Sequence, residues 1–191
     1  FSNHTGYGSW GGSAIAASEV AAIVDALDAR GALAQVDVVL SGYQGSPDIA
    51  DVILNAVARV KAHNPRATYT CDPVMGNAKS GCFVAPAIPV LLRERVVPAA
   101  DLVTPNQFEL GFLTDTEVDT LDGTLAAVDK LFGGQFGQAE ARNPAHAPRA
   151  VLVTSVMCPN RPAGSIQMLA ADATGAWLVT TPHLPFKANG S

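Results

Sequence analysis

Five stretches of the chain place apolar residues at helical spacing. Val20, Ile23, Val24 and Leu27 recur every three or four positions after Ser18 and stop before Gly31, which predicts an amphipathic crossover helix. Ile49, Val52, Ile53, Ala56, Val57 and Val60 mark a second helix, with Pro47 in its first turn and Pro65 just past its end. Residues 86–97 read as a third, Phe108, Leu110 and Leu113 belong to a fourth, and Leu125, Val128 and Leu131 share one face of a fifth over 122–132. Between these lie short runs of strand-forming residues at 36–40, 67–70, 101–103 and 150–153. Strands alternating with helices predict an α/β fold with a mainly parallel sheet. Near the C-terminus the pattern changes to two strands, 165–170 and 176–181, joined by the turn Asp172-Ala173-Thr174-Gly175, which reads as an antiparallel hairpin.

Three stretches lack a period. Residues 1–8 are polar, aromatic and glycine-rich and read as a loop, in which His4 and Thr5 either touch a ligand or are simply solvated. Residues 77–84 read as a mobile flap, and 133–149 as a polar loop bearing Gly and Pro.

The strand ends carry the chemistry. The run 101–103 stops at Thr104-Pro105-Asn106-Gln107-Phe108-Glu109, because Pro105 cannot donate to a ladder and turns Thr104 away from helix. Asn106 then caps the next helix, with Glu109 three residues on and on the same face. By itself that spacing is equally a capping box or a ligand site. A second strand ends the same way at Cys71-Asp72-Pro73-Val74-Met75-Gly76, a third at Thr154-Ser155 and a fourth at Ser41-Gly42-Tyr43. Open α/β sheets bind ligands at the carboxyl edge of their strands, so these ends together favour a site for phosphate, metal and hydroxyl chemistry.

Composition narrows the partners. A chain of 191 residues with 48% hydrophobic and 15% charged residues is a single globular domain by size, 1–191, and is not disordered. Its net charge of −5, with no basic run, argues against nucleic acid. Three cysteines without Cys-x-x-Cys spacing suggest neither a disulfide framework nor a zinc site, and fit a reducing cytoplasm. No run of roughly 18 apolar residues suggests a membrane span, and no signal peptide is visible.

Taken in order, Phe1-Ser2-Asn3-His4-Thr5-Gly6-Tyr7, Ser41-Gly42-Tyr43, Asp72-Pro73-Val74-Met75-Gly76, Thr104-Pro105-Asn106-Gln107-Phe108-Glu109 and Val153-Thr154-Ser155 closely resemble the pyridoxal kinases of the ribokinase-like superfamily. The resemblance runs the length of the chain. It implies a three-layer α/β/α fold and ATP-dependent phosphorylation of the 5′-hydroxymethyl group of pyridoxal, with Mg2+ and a candidate monovalent cation such as K+. It implies a homodimer whose partners are otherwise the small molecules pyridoxal and ATP. Thr5, His4 and Tyr43 would border the pyridine ring. Asp72, Thr104 and Glu109 would serve the metal, while Asn106, Thr154, Ser155, Asn77 and Phe83 would serve the nucleotide. Asn77 and Phe83 stand where some relatives carry an acid and a tyrosine. Relatives continue from a segment like Asn189-Gly190-Ser191 into Gly-Asp and a helix that supply the anion hole and the base, and they begin with a further strand. Gly190 and Ser191 are therefore expected to be part of the anion hole, and the chain is expected to be incomplete at both ends and inactive alone. Hydroxymethylpyrimidine kinases of thiamin synthesis, which share the Asp72-Pro73-Val74-Met75 pattern, are the nearer alternative. A non-catalytic vitamer-binding protein is the other.

Overall fold

Every predicted strand and helix that falls on described residues has a counterpart in the structure, a computed structural model that describes residues 2–4, 11–134 and 147–184 and, for 2–4, the backbone path alone. The chain opens with β1 (Ser2–His4) antiparallel to β2 (Gly11–Ser13), Asn3 lying opposite Gly12. This corrects the reading of 1–8 as wholly irregular: a three-residue pair is held by backbone hydrogen bonds and needs no apolar period.

The next element, α1 (Ala17–Ala29), shows the predicted apolar stripe but buries none of its residues. Val24 packs beside Leu33, Val60 and Ala67, whereas Ile23 and Leu27 are exposed; among the described residues α1 rests mainly against a later helix and the 3-10 turn Ala32–Gln35. Gly31 makes the turn between them at φ +72°, a conformation costly for residues with a Cβ. The strand β3 (Val38–Ser41) follows, and then α2 (Pro47–His63). Ser46 caps α2 by accepting the Ile49 N–H at 3.3 Å, Pro47 occupies its first turn, and Ala50, Val57 and Val60 are buried.

After β4 (Thr68–Cys71), the predicted flap is a tight hairpin of β5 (Gly76–Asn77) and β6 (Gly81–Cys82). The third predicted helix is α3 (Ala87–Leu91), which widens into a π-helical turn, Leu92–Val96, before α4 (Val97–Ala99). Pro98, which has no N–H to donate, lies where regular helical pairing gives way. The chain continues through β7 (Leu102–Val103), α5 (Gln107–Thr114), α6 (Leu121–Leu131), β8 (Ala150–Val156), β9 (Ser165–Asp172) and β10 (Gly175–Pro182).

Among the described residues, six strands form one sheet in the order β10-β9-β8-β7-β4-β3. The four from β3 to β8 are parallel, and β9 and β10 add an antiparallel pair in the predicted register, with Gly175 opposite Asp172. One core joins Tyr69, Cys71 and Val103 of the sheet to α2 and the α3–α4 segment. A second joins Val151, Val153 and Leu169 to Leu110 of α5 and to Ala127 and Val128 of α6. Among the described residues β3 is the last strand of the sheet, and its Leu40 is 71% exposed. At the amino edge, Asp101 gathers Lys61 Nζ at 2.6 Å and the Tyr69 N–H at 2.8 Å. The four parallel strands point their carboxyl ends, and with them Ser41, Asp72, Thr104 and Thr154, to the opposite edge.

Candidate active site

Strand-ending prolines shape the carboxyl edge. Asp72 follows β4 and is held by its own N–H to the Ser41 carbonyl at 2.8 Å, after which Pro73 turns the chain away. Thr104 follows β7, its N–H on the Cys71 carbonyl at 3.0 Å. Pro105 gives its carbonyl to the Thr154 N–H at 2.9 Å, and Asn106 bridges to Thr154 in parallel register. These links tie four successive strand ends together into a wall along one edge.

The wall encloses a cavity of about 390 Å³ lined by Asp72, Val74, Gly76, Asn77, Phe83, Thr104, Asn106, Glu109, Thr154 and Ser155. Every metal-side and nucleotide-side residue expected from the sequence borders this single space. Tyr43 is exposed on the β3–α2 connection and does not line it. Beside Tyr43, Gln44 is buried, and neither of its amide atoms has a hydrogen-bond partner among the described residues. Thr5, Gly190 and Ser191 lie outside the described residues, and so does the His4 side chain.

The two carboxylates of the cavity differ. Burial pushes the Asp72 carboxyl above its usual range, and no hydrogen bond reaches that carboxylate among the described residues. Glu109 is 3% exposed, and its Oε2 accepts the Asn106 N–H at 2.8 Å while Asn106 Oδ1 accepts the Glu109 N–H at 2.9 Å. The capping box is thus present in full. The same carboxylate also reaches across the cavity, Oε1 accepting the Met75 N–H at 3.0 Å and the Gly76 N–H at 3.4 Å. Burial pushes the Glu109 carboxyl up, these three backbone N–H groups pull it down, and the charge of Asp72 pushes it up again. Asn106 completes the clamp by donating from Nδ2 to the Gly76 carbonyl at 2.8 Å.

Gly76 fits this clamp because it lacks a side chain. A Cβ there would run into the Gly81 carbonyl and come within 2.7 Å of Phe108 Cε1. The hairpin it starts is closed at its tip by Asn77, whose Oδ1 accepts the N–H groups of Lys79 at 3.0 Å and Ser80 at 2.9 Å. That use engages the Asn77 oxygen within the flap. Phe83 is exposed over the opening.

On the far side the chain makes an unusual move. The β8–β9 register slips between Val153 and Val156, and Ser155 within the slip has φ +54°, one of two positive-φ residues other than glycine among the described residues. Bulges of this kind concentrate beside active sites, where they re-aim side chains. Sequence reasoning found Thr154 and Ser155 but not the bulge, which no residue preference signals. Cys71, at the foot of the wall, has its thiol pushed up to about 11 by burial, which removes it as a nucleophile at neutral pH. A wider, largely apolar cleft of about 900 Å³ adjoins the cavity at Asn77, Asn106 and Ser155 and runs along Phe108 and Phe112 to Met157.

Among the described residues no basic side chain lines the 390 Å³ cavity. An anion such as a polyphosphate enters a space holding two carboxylates only with cations to neutralise it. Among the described residues no group of three or more His, Cys, Asp and Glu side chains converges to form a dedicated metal cage. Asp72 with the hydroxyls of Thr104 and Thr154 suits an ion that keeps much of its water, as Mg2+ does.

Such a rim, on a mainly parallel sheet with a C-terminal antiparallel pair between helical layers, is the ribokinase-like three-layer α/β/α architecture. A family profile described as phosphomethylpyrimidine kinase matches residues 8–140, and the chain belongs to that family. Among individual proteins, it is 61% identical over 191 residues to pyridoxal kinase PdxY of Leifsonia xyli subsp. xyli, and 54% identical to that of Corynebacterium diphtheriae. Each alignment covers 100% of this chain and 63% of the relative, so the chain spans less than two thirds of the curated relatives it matches. Among solved structures, pyridoxal kinase from Entamoeba histolytica superposes with a TM-score of 0.78 at 26% identity, covering 94% of this chain and 60% of that one. Pyridoxal kinase from Leishmania donovani in complex with ADP and pyridoxamine superposes at 0.79 with 25% identity, covering 97% and 63%.

Proposed function

We propose that the chain forms the nucleotide and metal side of a pyridoxal kinase that transfers the γ-phosphoryl group of ATP to the 5′-hydroxyl of pyridoxal. The observation that carries this reading is the cavity itself: hydroxyls, an amide and two carboxylates gathered at the carboxyl edge of a parallel sheet. The similarity to pyridoxal kinases, including one solved with ADP and pyridoxamine, supports the choice of substrates.

In this reading Thr104, Thr154 and Ser155 present hydroxyl groups to the polyphosphate, and the amino end of α5 adds its positive dipole. Asp72 would hold Mg2+, which when bound would supply positive charge beside the phosphates. Glu109 and Asn106 act mainly by fixing the root of the flap, so that Phe83 excludes water from the cavity. Tyr43, with Thr5 and His4, borders the acceptor, and Gly190 and Ser191 belong to the anion hole. The three cysteines are unpaired thiols, which supports a cytoplasmic setting.

The matching family profile favours a second reading, in which the acceptor is hydroxymethylpyrimidine. The two are separated by incubating the natural protein with Mg-ATP and equimolar pyridoxal and hydroxymethylpyrimidine, then identifying the phosphorylated product by mass. Pyridoxal 5′-phosphate as the main product is the expected result. Hydroxymethylpyrimidine phosphate alone would reverse the assignment, and no phosphorylated product would support a vitamer binder.

A further inference from the structure

Ser155 holds a left-handed backbone that a serine does not choose by itself, and Gln107 is the side chain placed to hold it there. Gln107 is 9% exposed at the first turn of α5, and its Oε1 accepts the Met157 N–H at 2.8 Å. Its Nε2 donates to Thr124 Oγ1 at 3.2 Å and to the Val118 carbonyl. Thr124 is itself fixed, donating to the Thr120 carbonyl at 2.8 Å on α6. The amide of Gln107 is therefore braced by α6 and by the α5–α6 connection, and it points its acceptor at the residue two positions beyond Ser155. On the near side the Thr154 N–H is tied to the Pro105 carbonyl at 2.9 Å. The bulge is thus pinned before and after Ser155, once by backbone and once by Gln107.

We infer that Gln107 is a positioning residue which, through the Met157 N–H, keeps Ser155 left-handed and so sets the Thr154–Ser155 wall of the phosphate cavity. A non-glycine residue in this conformation is disfavoured and relaxes unless its surroundings prevent it. Gln107 supplies that constraint from beside the 390 Å³ space that Ser155 borders: it does not line that space, and with Ser155 and Met157 it lines the adjoining 900 Å³ cleft. The inference rests on the kinase reading only for its consequence on nucleotide binding; the backbone constraint stands apart from it.

The test is a double-mutant cycle of Gln107→Leu and Ser155→Gly in the natural protein, since glycine takes the left-handed conformation without help. Two readouts are used. In ligand-free protein, amide exchange at Met157 should quicken at least about tenfold in Gln107→Leu, with core amides such as Val57 unchanged. Uniform acceleration across the core, or unchanged exchange at Met157, would overturn the inference whether or not the protein is a kinase. In calorimetric titration with Mg-ADP, Gln107→Leu should weaken binding about tenfold in the Ser155 background and less than about twofold in the Ser155→Gly background. Equal losses in both would show that Gln107 does not act through the Ser155 backbone. A natural protein that binds no Mg-ADP would defeat the kinase reading while leaving the exchange result to decide the role of Gln107.

Discussion

Glu109→Gln separates two roles that the same carboxylate can play. Glu109 accepts three backbone N–H groups, one from its own helix cap and two from the flap root, at 2.8, 3.0 and 3.4 Å. A glutamine has one acceptor oxygen, which serves either Asn106 or the Met75 and Gly76 pair, and its NH2 group then faces the other donor. One charge-assisted hydrogen bond, worth about 1.5–3 kcal/mol, is lost and a buried N–H is left unpaired. Burial raises the Glu109 carboxyl above its unfolded range, so removing the charge returns part of that loss and the net cost is about 2 kcal/mol. With a urea slope of about 2 kcal/mol per M, the unfolding midpoint should fall by about 1 M. The raised folded pKa also fixes a sign: the contribution of Glu109 is most favourable below its unfolded pKa and declines as pH rises through the folded one. Wild-type protein should therefore lose this component across that window, and the glutamine variant should not. Amide exchange over residues 76–82 should quicken in the variant. An unchanged urea midpoint and unchanged flap exchange, together with a lost response to magnesium, would refute the clamp and make Glu109 a metal ligand.

Three further outcomes follow from the geometry. Gly76→Ala should cost about 1–3 kcal/mol in urea unfolding, because the added Cβ meets the Gly81 carbonyl and Phe108 and the hairpin must shift. Asp72→Asn should leave the unfolding midpoint unchanged or higher, since burial opposes its charge, while magnesium-dependent turnover falls on the order of 100-fold in steady-state assays. At Asp101 burial, which would raise the carboxyl, is outweighed by Lys61 and the Tyr69 N–H, so its folded pKa is lowered and its stabilisation is present above the unfolded value of about 3.9. Asp101→Asn should cost about 1–3 kcal/mol at neutral pH, and urea titrations should show the gap closing as pH falls through the depressed folded pKa.

Much of this was legible in the residues. The helical stripes of α2 and α6, the C-terminal hairpin and the strand ends at Asp72, Thr104 and Thr154 all follow from local periodicity and proline placement, which act over a few residues. The capping box at Asn106 and Glu109 was legible for the same reason. What stayed hidden was long-range. That Glu109 also holds Met75 and Gly76, more than 30 residues away, has no local signature. The same is true of Gln107, whose partner Met157 lies 50 residues on. The exposure of Ile23 and Leu27 shows the converse limit: an apolar stripe says that a helix can be covered on one face, not what covers it.

The most direct measurement is an amide-exchange map of the natural protein with and without saturating Mg-ADP. The account predicts slowed exchange at residues 72–77, 104–106 and 154–157, and no change at the amino edge of the sheet around Asp101 and Tyr69. Protection confined to the amino edge, or spread evenly over the chain, would contradict the placement of the phosphate and metal site at the carboxyl edge.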